Sequence, residues 1–447
     1  MPQTKKWEDM TWQEKREERF KHWLNPPDVK FVSKETEKLY KQRVTRFIKA
    51  IKLEEPDRVP VILPTGNFPA YWGGSSFRTL MYDYKKGHEI WKKFMEAFGD
   101  MDIFNGPSFI PSGRIAEAIP SRIQKLPGLG LPETATMNQF VEGEYMMADE
   151  YDLYMADPTD YNLRVMLPRT TPLFEPFKRM PPMRNMMGNY WLTVMTDPEV
   201  RKIFETLLSL TDEQIKWTTA SMEINSYIRA HGYPSLWGGG IMAAAPFDHF
   251  ADVLRGTQGI AMDMFRQPKK LHEAMEWYLN LSINTTIKNF PMTSSPICMM
   301  PLHKGDDTFM SDKQFAEFYW PYLRRLFLAM IDEGLVPFPF AEGRYNNRLK
   351  QITDTPPSGV VWYFDQTDMK EAKRILGGIS CIMGNVPTSL VIKGTPQQVK
   401  EACRKLIEDC APGGGYILTG GASIDRGNIE NLKAMMDAAK EYGVYKK

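Results

Sequence analysis

Between about Pro296 and Tyr442, short apolar runs alternate with helical segments, and each run stops at a polar residue. "SPICMMPLHKGDD" ends at His303, Lys304, Asp306 and Asp307, and "LVPFPFAEGRYNN" at Glu342, Tyr345 and Asn346. "GVVWYFDQTD" ends at Asp365 and Asp368, "ISCIMGNVP" at Asn385, and "GGYILTGGAS" at Thr419 and Ser423. Runs of about four to eight apolar residues fit strands buried on both faces. Helices between them make successive βα units, which close most readily into a (β/α)8 TIM-type barrel. Chemistry in that fold sits where strands end, so these polar positions are expected to share one mouth.

Upstream, residues 1–50 read as a helical extension. Thr11 caps one helix, and Ser33 caps a second that carries Glu35 and Glu37 in its first turn. "PDRVPVILPTG" predicts a first barrel strand over Val59–Leu63, and "DMDIFNGP" a second ending at Asn105, with a helix over 84–99 between them. From 107 to 190 prolines and glycines recur and the periodicity loosens, which reads as an insertion at the barrel mouth that forms a lid. A long helical stretch is expected from Asp197 to Ala230, either continuous or with one break, ended by His231-Gly232. "PSLWGGG" reads as a third strand, followed by helices over 249–266 and 268–289. The barrel proper therefore spans 51–447.

Length and composition fit that reading: 447 residues, 43% hydrophobic and 25% charged, make one elaborated barrel. With 56 basic and 55 acidic residues, the net charge of +1 argues against a nucleic-acid or anionic-membrane surface. No run approaches the roughly 18 apolar residues of a membrane span, and the charged start has no signal-peptide core, so a cytoplasmic protein is expected. Cys298, Cys381, Cys403 and Cys410 lack metal-type spacing and read as buried, reduced thiols.

His303 is the one histidine of six at a predicted barrel-strand exit. A histidine and carboxylates at such a place can transfer protons or hold a metal. Glu342 emerges from "FPFA" into the mouth, where desolvation would raise its pKa and suit it to general-acid work, unless a cation holds it ionised. Asp365 has the same geometry one strand later, and Asn385 precedes a proline that shapes a turn. The glycine runs have neither P-loop nor dinucleotide spacing and read as turns. Tyr71, Trp237 and Tyr345, with Phe68, Trp72 and Tyr145, lie on predicted mouth loops and would favour a flat or apolar substrate.

"GNVPTSLVIKGTPQQVKEACRKLIEDCAPGGGYILTGGASIDRGNIENLKAMMDAAKEYG" resembles the C-terminal part of the uroporphyrinogen decarboxylase superfamily. "EEPDRVPVILP" and "FGDMDIFNGP" look like that family's first two strands. The superfamily has two chemistries, porphyrinogen decarboxylation and methyl transfer to or from a corrinoid protein. The decarboxylase branch carries paired arginines after the first strand, a catalytic Asp after the second and a late His. After the first strand this chain has "PTGNFPAYWGG", with no Arg from there until Arg78; it has Asn105 at the Asp position and lacks the His. Zinc-thiol methyltransferases have His-x-Cys and a later Cys, where this chain has Phe340, Glu342 and about Ala422. A thiolate zinc site is therefore not expected.

The resemblance thus implies a methyltransferase moving a methyl group from a small methylated substrate, of aryl methyl ether or methylamine type, to the Co(I) corrinoid (cobalamin) of a partner protein. Catalytic roles fall to Glu342, His303 and Asp365, either as proton donors or as ligands of a Zn2+ ion that polarises the leaving atom. Asn67, Tyr71, Asn105 and Trp237 are expected at the substrate, with Tyr345, Asn346 and Asn385 orienting it. A homodimer is a further implication of the family. The rival readings are a decarboxylase or lyase acting on a smaller acid, and a non-catalytic ligand-binding barrel.

Overall fold

The computed structural model describes residues 5–104, 106, 110–236, 244–293 and 295–446. The two N-terminal helices start at the expected caps. Thr11 and Glu14 form a reciprocal capping box at the head of Trp12–Leu24, and Ser33 and Thr36 do the same for Lys34–Ile51. Within the insertion, three short strands, β1 (Gln124–Pro127), β2 (Gly130–Leu131) and β3 (Gln139–Phe140), form a small sheet in the order β2-β1-β3. A satellite core of Phe177, Met180, Met186, Val200 and Ile203 ties the following helical turns to the helix Pro198–Ser209.

The C-terminal part holds a continuous parallel sheet in chain order: β4 (Ile297–Leu302), β5 (Val336–Ala341), β6 (Val361–Phe364), β7 (Cys381–Val386) and β8 (Tyr416–Gly420). The three upstream segments close it through single parallel bridges. Val61 bridges Leu418 of β8, Ile62 bridges Ile103, and Phe104 bridges Ser235. Ser295 Oγ, just ahead of β4, donates to Leu236 O at 3.5 Å and completes the circuit. This is the (β/α)8 barrel that the apolar runs predict.

Strand periodicity decides which residues enter the barrel. Ile62, Ile103, Leu236, Ile297, Val336, Phe338, Val361, Cys381, Met383 and Ile417 form one buried cluster, joined from below by Phe20, Trp23, Val44 and Phe47 of the N-terminal helices. The alternate positions, among them Cys298, Met300, Leu302, Trp362, Phe364, Ile382 and Leu418, belong to the cluster beneath the outer helices. All four cysteines are free and buried.

Two predicted helices are broken in the structure. The 197–230 helix is two, Pro198–Ser209 and Thr211–Ala230, meeting where the Thr211 hydroxyl bonds back to Leu208 O. The 249–266 helix divides into Pro246–Val253 and Gly256–Arg266. There the Leu254 carbonyl turns out of the helix to accept the insertion's Tyr145 N at 2.9 Å and Met146 N at 2.7 Å. Gly256 at φ +68° carries the chain into the next helix.

Candidate active site

Register brings the central residues together. Leu302 pairs with Ala341, and Ala341 with Phe364. The next residue of each strand, His303, Glu342 and Asp365, therefore leaves the sheet at one level. All three continue the inward-facing positions of their strands, two residues past Pro301, Phe340 and Tyr363, so they stand over the barrel axis. Asn385 shares that parity on β7.

His303 is held from two sides by the helix Pro246–Val253. Its Nδ1 lies 2.7 Å from Asp252 Oδ2, and its main-chain N–H donates to Asp248 Oδ2 at 2.9 Å. Its Nε2 lies 3.7 Å from Glu342 Oε1. The hydrogen bond to Asp252 pushes the His303 pKa up to about 9 against the opposing effect of burial, and Glu342 adds to the rise. The ring is thus an imidazolium at neutral pH, with one N–H on Asp252 and the other at the mouth. Burial raises the Glu342 pKa, while the charge on His303 draws it down. Asp248 is fully enclosed, and burial, then the neighbouring Asp252, lift it to about 7. Tyr319 Oη donates to the same Asp248 oxygen at 2.7 Å.

Asp365 steadies the loop that carries Glu342, because its Oδ2 accepts Gly343 N and Gln366 Nε2, each at 3.2 Å. Beside it opens a cleft of about 700 Å³ lined by Arg344, Asn346, Asp365, Gln366, Asn385 and Thr388. Asn385 Nδ2 donates to Thr367 O at 2.7 Å, and Asn346 Oδ1 accepts Asp368 N at 2.9 Å, so both amides brace the rim of this cleft. Tyr345 departs from expectation. It is wholly buried, its hydroxyl lying under Gly305 rather than open to a substrate.

Asn67 and Tyr71 serve the insertion. Asn67 Nδ2 donates to Thr136 O and Tyr71 Oη to Ala135 O, both at 3.2 Å, which pins residues 135–136 to the barrel rim. Asn105 and Trp237 lie outside the described residues. Among the described residues, no group of three or more His, Cys, Asp or Glu side chains is arranged to hold a metal ion. His303 commits Nδ1 to Asp252, which leaves Nε2 facing Glu342 at the mouth.

Sequence reasoning missed Asp248, Asp252 and Tyr319. The two aspartates sit four apart in "APFDHFADV", on one face of a helix that starts at Pro246. An i, i+4 carboxylate pair beside the buried Phe247, Phe250 and Ala251 was the available signal.

Fold and site together define a parallel (β/α)8 barrel with an acid–base cluster at its C-terminal mouth. Residues 235–442 match the family model of uroporphyrinogen decarboxylase (URO-D). Among solved structures, a methyltransferase from Methanosarcina mazei shares the fold, with a TM-score of 0.55 and 16% identity over 89% of this chain and 98% of that one. No curated protein matches the sequence.

Proposed function

We propose that this protein is a methyltransferase that passes a methyl group from a small methylated substrate, an aryl methyl ether or a methylamine, to the Co(I) corrinoid of a partner protein docked at the barrel mouth. The observation that carries the reading is the charged His303, clamped by Asp252 and presenting Nε2 beside Glu342. The match of residues 235–442 to the uroporphyrinogen decarboxylase family model and the fold shared with a methyltransferase support it from outside the site.

The difficulty of the reaction lies in the leaving group. Transfer of the methyl group to the acceptor would break its C–O bond and leave that bond's electron pair on the oxygen. An alkoxide or phenoxide leaves poorly unless a proton arrives with it. His303 Nε2–H supplies that proton, and Asp252 keeps the ring in the tautomer and orientation that aim it outward. Glu342 holds the proton on the ring until the substrate oxygen displaces it as partner. Such general-acid assistance is worth about 10²–10⁴ in rate.

The test is an anaerobic assay of the purified protein with reduced corrinoid protein and a panel of methoxylated and methylated-amine compounds, read as methylcobalamin formation in the visible spectrum. The reading expects methylation with at least one donor and its strong loss in Glu342→Gln. Carbon dioxide release from an acid without any corrinoid would replace it with a decarboxylase.

A further inference from the structure

Asp248 is costly on stability grounds. Its carboxyl is 1% exposed, one oxygen takes both available donors, and Oδ1 has no partner among the described residues. A buried carboxyl with a bare oxygen costs free energy that an apolar side chain of similar size would not. Such a group persists where its geometry is needed.

That geometry centres on the turn that carries His303. Asp248 Oδ2 accepts the main-chain N–H of His303 at 2.9 Å and the Tyr319 hydroxyl at 2.7 Å. Gly305 presses the same turn onto the phenols, since a Cβ there would meet Tyr345 Oη at 2.5 Å and the Tyr319 ring at 2.8 Å. One helical turn on, Asp252 holds the His303 ring. The helix Pro246–Val253 thus grips one histidine twice, by backbone and by side chain.

We propose that Asp248, braced by Tyr319, is a positioning residue of the methyl-transfer site: it fixes the backbone of His303 so that Nδ1 meets Asp252 and Nε2 points into the mouth. The inference rests on the proton-donor role assigned to His303 above. Asp248 touches neither substrate nor acceptor and acts only through the histidine. A displacement of about 1 Å in a reacting group costs on the order of 10²-fold in rate.

The experiment pairs single-turnover kinetics with NMR of 15N-histidine-labelled protein, following the hydrogen-bonded Nδ1 proton of His303. In Asp248→Ala the expected result is loss of that resonance and a fall in kcat of about 100-fold, with KM within about threefold. Asp248→Asn keeps an acceptor for both donors, so it retains the resonance and stays within about tenfold of the parent rate. Retention of the resonance with kcat within about twofold in Asp248→Ala overturns the proposal. If that variant does not fold, Tyr319→Phe decides: a shifted resonance with slower turnover supports the brace, and no change in either overturns it. Should the parent protein methylate no corrinoid, the functional reading fails by itself. The NMR arm then still decides the anchor, with loss of the signal in Asp248→Ala supporting it and retention overturning it.

Discussion

The two ends of this barrel treat charge in opposite ways. At the bottom, where strands begin, the N-terminal helices insert arginines that donate mainly to main-chain carbonyls, with Arg16 Nε left bare among the described residues. Arg19 donates to Glu333 O at 2.7 Å and Pro291 O at 2.9 Å, and Arg43 to Gly232 O and Gly99 O, each at 2.6 Å. Arg16 reaches Leu335 O and, at 2.6 Å, Ser358 O. Asp102, fully buried, is shared by Arg46 and Arg58. At the mouth a buried carboxyl keeps a bare oxygen, and Asp248, Glu342 and His303 all titrate away from their ordinary ranges. The bottom anchors its arginines on main-chain carbonyls and on one shared carboxylate, while the mouth gathers a histidine and carboxyls close to one another at the strand exits. The difference follows the fold, in which chemistry sits where strands end and the opposite face serves stability.

The largest expected effect breaks the mouth alone. His303→Asn should cut methyl transfer per folded molecule by about 10²–10⁴-fold, as measured by single-turnover spectroscopy. Asp102→Ala breaks the bottom alone: it leaves Arg46 and Arg58 without their shared buried carboxylate and should cost about 3–5 kcal/mol in chemical denaturation. Turnover per folded molecule should not change.

The pH dependence separates the ends further. The His303 pKa lies at about 9 in the fold, above the ordinary histidine value of roughly 6.5. Its contribution to stability is full below the ordinary value and is lost as pH rises through about 9. Activity that needs the imidazolium falls along the same limb. A pH–rate profile should show that alkaline fall, and a stability profile should lose this component in His303→Asn. The smallest effect is expected at the rim. Tyr71→Phe removes one hydrogen bond to Ala135 O and should cost about 0.5–1.5 kcal/mol. Any kinetic change should appear in KM rather than kcat.

Much of this architecture was legible along the chain. The apolar runs located β4 to β8 and placed His303, Glu342 and Asp365 at their ends, because a strand buried on both faces advertises itself as unbroken hydrophobic sequence. The caps Thr11 and Ser33 were legible for the same local reason. The break at Leu254 was not. At Leu254 it is the distant insertion that captures the helical carbonyl, and nothing near residue 254 encodes that contact.

The sequence by itself determined the strand–helix alternation, the residues at each strand exit and the shortage of cationic side chains after the first strand, since all of these follow from local periodicity and side-chain chemistry. Only the tertiary structure decided that His303 is gripped by Asp248 and Asp252, about fifty residues upstream, and that Tyr345 turns inward to floor the site. Proton affinity depends on which groups lie within a few ångströms, and folding sets those distances across long stretches of chain.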